Sequence, residues 1–543
     1  MTALDALRAA VVESSAALRT KGSASRATPT LERPKREAFG DYSTNAAMLL
    51  APVLRDAPRA IAERLGDDLA GRLGPALDRY DVAGPGFLNL FLADPWYADA
   101  LAGILGAGTG FGGGGAATAE KVLVEFVSAN PTGPLTAASG RHAAYGDALC
   151  RLLAFHGHDV DREYYFNDAG TQVEKLGASI RARARGEEPL EDGYAGEYVA
   201  ELAAEIPGAA DAGVHELAIA GVRAMWGRIQ ATLEAFGVRF DSWFSERRLQ
   251  EGSPSALERA YAQLEAGGHL YRSEGALWLR TSAFGDDKDR VLERTGGQST
   301  YFAADIAYHA DKLARGYERL IDPLGADHHG YMARMKAAMA ALGTDPEALE
   351  IVILQFVHVV EGGERASMSK RRGEFVTLDD LMAEIGVDAA RWFLLQRSHD
   401  TTVDLDLDLA RSESSENPVY YVQYAHARIS SVRRKAGEAR VAAALAEVAA
   451  PGEPLHSAER ALIKKLLAYP AEVADAAERR APHRIAAYAL ELAQEFTGFY
   501  RDCRVVGAEA PGAEPFRLAL CVAAQRTIAG ALGLLGVSAP EHM

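Results

Sequence analysis

Apolar residues recur with helical spacing at the start of the chain, at Leu4, Leu7, Val11 and Leu18, which predicts a helix packed on one face. In VAGPGFLNLFLA (82–93), turn residues precede an alternating apolar run, the pattern of a strand. Residues 103–119, GILGAGTGFGGGGAATA, are dense in glycine and predict a flexible connector with no regular element. KVLVEFVSANPTGP (121–134) then reads as a buried strand running into a Pro/Gly turn. GRHAAYGDALCRLLAFHGHDV (140–160) reads as a helix followed by the next strand region. Strand, tight turn, helix and strand in that order open a parallel α/β nucleotide-binding fold. Residues 182–215 are acidic, Ala-rich and helical in period, which suggests a surface insertion. From about residue 411 onward the period is helical throughout and predicts a bundle.

These patterns divide the chain into a small α+β N-terminal domain (1–112), a parallel-sheet domain (113–410, with an insertion around 178–290) and a C-terminal all-α bundle (411–543). The fold class is multidomain α/β. Its 543 residues suit several domains with sizeable cores. No apolar stretch is read as reaching the ~18 residues a membrane span needs, and no signal peptide is evident, so the expectation is a cytoplasmic protein without a membrane partner. Three dispersed cysteines (Cys150, Cys503, Cys521) form neither a disulfide framework nor a CxxC metal site. The net charge of −17 would ordinarily argue against a nucleic-acid partner. Its distribution changes that picture. Residues 1–110 carry 12 basic and 13 acidic groups, and residues 411–543 carry 16 and 15. The whole acidic excess therefore lies in the central region, and either flank can still present a basic face.

Two segments carry candidate chemistry. In EFVSANPTGPLTAASGR (Glu125–Arg141), Pro131, Gly133 and Pro134 enforce a turn before a helix beginning near Thr136. The N–H groups and dipole at that helix start suit phosphates, although the segment alone also reads as an ordinary strand–helix turn. In ERASMSKRRGEFVTLDDL (Glu364–Leu381), Arg365, Lys370, Arg371 and Arg372 sit in a glycine-flanked loop. Such a loop suits charge stabilisation on a transferring phosphoryl or adenylyl group, or is a solvated basic turn.

With these residues the chain resembles bacterial arginyl-tRNA synthetases of class I along essentially its whole length. SANPTGPL (128–135) resembles the approach to the class's first signature, and SMSKRRG (367–373) its second. YYFNDAGTQVEKLG (164–177), GDDKDRVLERTGGQSTYFAADIAYHADK (285–312) and GADHHGYMARM (325–335) resemble further family blocks. NPVYYVQYAHARI (417–429) resembles the start of the anticodon-binding domain. FGDYSTNAAMLLAP (39–52) and AGPGFLNLFL (83–92) resemble the N-terminal added domain.

The resemblance implies a Rossmann-type catalytic domain, activation of L-arginine by ATP with Mg²⁺, and transfer of the arginyl group to tRNA(Arg) by a monomer, with no tightly bound protein metal. It assigns Glu125, Ser128, Asn130, Tyr301 and Asp305 to arginine. It assigns Pro134, Thr136, Ala138, Ser139, Gly325, Asp327, Met368, Ser369 and Lys370 to ATP, with Lys370, Arg371, Thr136 and Ser139 catalytic. Tyr420, Tyr424, Arg428, Asp41 and Tyr42 would meet tRNA. A guanidinium needs carboxylates placed for paired hydrogen bonds, which Glu125 and Asp305 could supply. Read without the resemblance, Glu125 could be paired with a buried Arg, Asp305 a helix cap or surface acid, and Tyr420 and Tyr424 a core stripe. One departure stands out. Where the family's first signature has His-x-Gly-His, this chain has Thr136-Ala137-Ala138-Ser139. The alternative is therefore a catalytically impaired or repurposed tRNA-binding paralogue.

Overall fold

The computed structural model describes residues 2–19, 28–168, 170–188, 190–328, 330–365 and 376–543. The second-signature residues Met368, Ser369, Lys370 and Arg371 lie outside them.

The first helix, Ala3–Ala17, is fixed at its start by a reciprocal cap between Thr2 and Asp5, and it buries Leu4, Leu7 and Val11. It is followed by a four-stranded antiparallel sheet ordered Leu31–Glu32, Tyr42–Thr44, Phe87–Leu92, Leu77–Ala83. The glycine-rich stretch departs from the expected connector. A helix runs from Asp94 to Ala107, because Leu101 and Ile104 put an apolar stripe on the core and outweigh the low helix propensity of glycine. The glycines beyond it permit close packing. A Cβ at Gly112 would fall 2.6 Å from the Tyr469 ring, and one at Gly113 would fall 2.8 Å from the Phe155 carbonyl.

The central sheet is wholly parallel, ordered Leu349–Leu354, Arg319–Gly325, Lys121–Glu125, Asp159–Phe166, Ser242–Ser245. The strand order reverses between Lys121–Glu125 and Arg319–Gly325. A crevice opens at their carboxyl ends, where open α/β sheets hold ligands. The expected insertion contains helices Thr171–Ala184, Glu197–Glu205 and Val214–Ala235, which share a core of Leu176, Ile180, Leu202, Leu217 and Met225. A three-stranded antiparallel sheet follows, ordered Arg290–Glu293, Ala276–Leu279, Leu270–Ser273.

After the strand Val403–Asp406, the described residues form helices only, the longest being Ala513–Leu535. That helix corrects the reading that no apolar run is long enough to span a membrane. It qualifies by length and apolar composition, yet its apolar stretch is 78% buried inside the protein, as befits the central helix of a bundle. Ion pairs lock the parts together. Arg480 makes a two-pronged contact with Glu350 at 2.8 and 2.9 Å, Arg460 meets Asp94 at 2.6 Å, and Lys464 meets Asp41 at 2.9 Å.

Candidate active site

The crevice holds a cavity of about 480 Å³, lined by Glu125 to Ala129, by Thr136, Ala138, Ser139 and His142, and by the segment Asp322–Gly325. Tyr165, Asp305, Tyr308, His309, Asp327, His328 and Tyr331 complete the wall. Sequence reasoning therefore brings together Glu125, Ser128, Thr136, Ala138, Ser139, Asp305, Gly325 and Asp327. Three of its residues lie elsewhere. Pro134 lines a separate cavity beside Tyr198. Asn130 is exposed and donates to the Gln172 side chain at 2.8 Å. Tyr301 is 73% exposed and faces a neighbouring depression with Glu246, Arg294 and Thr300.

The floor of the cavity is strained backbone. Val127 and Ser128 adopt positive φ angles of 68° and 41°. Non-glycine residues in such conformations cost roughly 1–3 kcal/mol each. Hydrogen bonds hold the turn in place. The Ser128 hydroxyl donates to Glu125 Oε1 at 2.9 Å and accepts from the Tyr165 N–H at 3.2 Å. The Tyr164 hydroxyl clamps both backbone groups of Ala129, at 3.1 and 2.8 Å.

Glu125 is partnered, though by a lysine. Buried Lys312 donates to Glu125 Oε2 at 2.6 Å and to Asp322 Oδ1 at 3.0 Å. Burial works against charge on Lys312, but the carboxylates of Asp322 and Glu125 outweigh it and hold the ammonium above its ordinary range. His309 bridges the Asp305 carbonyl at 2.7 Å and Asp322 Oδ2 at 2.8 Å. Below these, fully buried Glu163 takes both prongs of Arg315 at 2.7 Å and the Tyr308 hydroxyl at 2.7 Å.

Among the described residues, no lysine or arginine pairs with Asp305 or Glu246, the two raised acids of this region. Burial raises the Asp305 carboxyl to about 6, with Glu125 and Glu246 pushing the same way against His309 and a hydrogen bond from Tyr331. Burial also raises Glu246, which accepts from the Tyr165 hydroxyl, and Asp168 adds to the shift. Carboxyls raised by burial and by neighbouring acids suit a positively charged ligand. Neither Asp305 nor Glu125 is a spare surface acid.

The signature helix, Ala137–His156, starts with Thr136 as its cap. Its N-terminus offers less than expected. The Ala137 N–H is taken by the Val376 carbonyl at 3.1 Å, and the Ser139 N–H by the Thr136 hydroxyl at 3.2 Å. The Thr136 and Ser139 hydroxyls also contact each other at 3.2 Å. One turn further along, His142 lines the same cavity. Burial brings its imidazole down to about 4, against the raising effect of the nearby Pro323 backbone. Opposite, a Cβ at Gly325 would lie 2.7 Å from the Asp327 carboxylate, which would have to swing aside.

Sequence reasoning missed His142, Tyr165, Glu246, Lys312 and Asp322. Lys312 was the most discoverable, being a charged residue on the apolar face of an amphipathic helix.

At the C-terminal bundle, Tyr420 and Tyr424 stack with ring centres 6.3 Å apart. Tyr424 is 41% exposed, and Arg428 lies over both Tyr424 and Tyr500. The core face of this helix is made by Val419, Val422, Ala425 and Ile429, so the two tyrosines are not core stripe. Asp41 and Tyr42 are placed differently. Both are buried, with Asp41 accepting from the Leu92 N–H and from Lys464, and Tyr42 packed edge-on against Trp96.

Comparisons with known proteins agree with this architecture. Three family models match: the arginyl tRNA synthetase N-terminal domain at residues 4–92, the class I (R) tRNA synthetase catalytic domain at 222–430, and the DALR anticodon-binding domain at 422–543. The arginine–tRNA ligase of Frankia alni is 47% identical over 528 residues, covering 95% of each chain. That of Geobacillus kaustophilus is 47% identical over 527 residues, covering 94% of each. The solved arginyl-tRNA synthetase of Thermus thermophilus superposes with a TM-score of 0.74 at 26% identity, covering 99% of this chain and 100% of that one. With acids grouped at the switch point of a class I sheet and relatives this similar along almost its whole length, the chain belongs to the arginyl-tRNA synthetase family.

Proposed function

We infer that this chain is an arginine–tRNA ligase in which Asp305, with Glu125 and Glu246 around it, reads the guanidinium of arginine. The observation that carries the residue assignment is the Asp305 carboxyl, raised by burial and by neighbouring acids inside the cavity. A cation there relieves that cost, whereas an apolar side chain would leave it in place. Lys312 orients Glu125 and, with His309, holds the buried Asp322 carboxyl below its ordinary range, and Ser128 fixes the turn assigned to the amino acid's backbone groups.

The reaction proceeds in two steps. The carboxylate of arginine attacks the α-phosphorus of ATP, forming arginyl-adenylate and releasing pyrophosphate. A ribose hydroxyl at the 3′ end of tRNA then attacks the acyl carbon and releases AMP. Mg²⁺ enters as part of the ATP substrate and supplies charge neutralisation on the phosphates. The protein contributes positioning and charge. Gly325 and Asp327 are assigned to the ribose and the Thr136–Ser139 helix start to the phosphates, and all of them border the same cavity. Lys370 and Arg371 are assigned to the phosphates from sequence. The stripe of Tyr420, Tyr424, Arg428 and Tyr500 offers stacking faces and a cation to unpaired tRNA bases. We propose a cytoplasmic location, where these substrates are found.

The paralogue reading finds no support, because the relatives that match along the chain are arginine–tRNA ligases. ATP–pyrophosphate exchange with arginine, with and without tRNA, tests the assignment. Arginine-dependent exchange is expected when tRNA is present. Absence of exchange under both conditions would overturn it.

A further inference from the structure

His309 stands one helical turn after Asp305 on the helix Tyr301–Ala314 and lines the same cavity. It is 3% exposed, and both of its ring nitrogens meet oxygen. Nδ1 lies 2.7 Å from the Asp305 main-chain carbonyl, and Nε2 lies 2.8 Å from Asp322 Oδ2. The carbonyl can only accept. Asp322 is an acceptor too. Its other carboxylate oxygen receives a hydrogen bond from the buried Lys312 ammonium at 3.0 Å. Burial works to raise this carboxyl, but Lys312 and His309 bring it down to about 2.

Two acceptors at these distances require two donors. A neutral imidazole has one N–H and one lone pair, so on one side it would set a lone pair against an oxygen. The ring that satisfies both contacts is the imidazolium, with a proton on each nitrogen. A buried cation needs acids beside it. The charged and titratable groups around His309 are Asp305, Tyr308 and Lys312 on its own helix, Asp322 and Glu125 on the neighbouring strands, and Tyr331 in the cavity wall. Lys312 is shared between Glu125 and Asp322, so the imidazolium is the second cation of a cluster that would otherwise hold two acids to one base. The Asp305 carboxyl faces the cavity without a lysine or arginine partner among the described residues.

We propose that His309 is a positioning residue of the arginine pocket, an imidazolium that ties the Asp305 turn of the helix to Asp322 and, with Lys312, balances the buried acids so that Asp305 is left to answer the guanidinium. The Nδ1–H bond fixes the backbone from which the Asp305 side chain projects. The charge opposes the burial that raises the Asp305 carboxyl, which keeps that acid ionised over a wider range of pH. This deepens the arginine–tRNA ligase reading and rests on it for the identity of the ligand.

Nitrogen NMR of the ligand-free protein with labelled histidine reads the ring directly. At about pH 8, where an ordinary histidine is neutral, one imidazole should still carry protons on both nitrogens. That signal should vanish in His309→Gln and turn neutral in Asp322→Asn, with thermal melting showing that each variant is folded. No doubly protonated ring in the wild type, or one that persists in either folded variant, would overturn the proposal. Calorimetric titration of arginine reads the positioning. The pH at which arginine affinity falls should rise by about one unit in His309→Gln, the usual effect of removing a cation beside an acid. A merely structural loss would weaken binding equally at every pH. Adding His309→Gln to Asp305→Asn should move nothing further. An unmoved midpoint, or an equal shift in the Asp305→Asn background, would also overturn the proposal. Wild type with the doubly protonated ring but no arginine binding would uphold the charge on His309 and count against the ligase reading alone.

Discussion

Arginine affinity should fall as pH drops through about 6, and Asp305 is the reason. Its carboxyl stands at about 6 in the ligand-free protein, against an ordinary 3.8. The groups facing it are His309, Tyr331, Glu125 and Glu246. In the empty protein a raised acid favours the folded state only while protonated. That stability is present below the unfolded value near 4 and is lost as pH rises through 6. A shift of this size corresponds to about 3 kcal/mol carried by the empty site at neutral pH. A bound guanidinium reverses the balance by favouring the ionised form, so arginine should bind with release of a proton below pH 6. With a value near 6, the site is about nine-tenths ionised at pH 7 and about one-tenth at pH 5. Affinity should therefore fall about tenfold between pH 7 and pH 5. Isothermal titration of arginine across this range, in buffers of different ionisation enthalpy, reads both the affinity and the proton count. Asp305→Asn should bind weakly at pH 7 and lose most of the slope. A flat profile from pH 8 to 5, or a slope unchanged in Asp305→Asn, would refute this reasoning.

Lys312→Met should destabilise the fold by about 3–5 kcal/mol in denaturant unfolding, because it leaves Glu125 and Asp322 buried without their shared cation. Ser128→Ala removes the hydroxyl that pins the strained turn and leaves the Tyr165 N–H without its partner. Calorimetry should show arginine affinity reduced roughly fivefold to tenfold, with ATP affinity little changed. Tyr424→Ala should weaken tRNA binding about fivefold to a hundredfold at fixed salt, read by filter binding, while arginine binding measured without tRNA stays the same.

What was legible in the sequence followed periodicity and punctuation. The Leu4, Leu7 and Val11 stripe, the Pro131–Pro134 turn and the alternation before residue 93 are local signals, and each gave the element it implied. The long-range partners were not legible. That Glu125 answers to Lys312, 187 positions away, depends on two parallel strands and the helix behind them, which no local pattern encodes. Asp41 reads as a polar residue in a block that resembles the N-terminal added domain, but its meaning comes from Lys464 across a domain joint. The glycines after Gly108 misled because low helix propensity and close packing produce the same composition. His142 was not legible for a related reason: only the turn of the helix brings it to the cavity that Thr136, Ala138 and Ser139 line.

The account rests most heavily on the claim that buried acids read a positive charge. Citrulline tests it most directly, since it replaces the guanidinium with a neutral group of nearly the same shape. In ATP–pyrophosphate exchange with tRNA present, kcat/KM for arginine should exceed that for citrulline by on the order of a hundredfold or more. Comparable values for the two amino acids would contradict it.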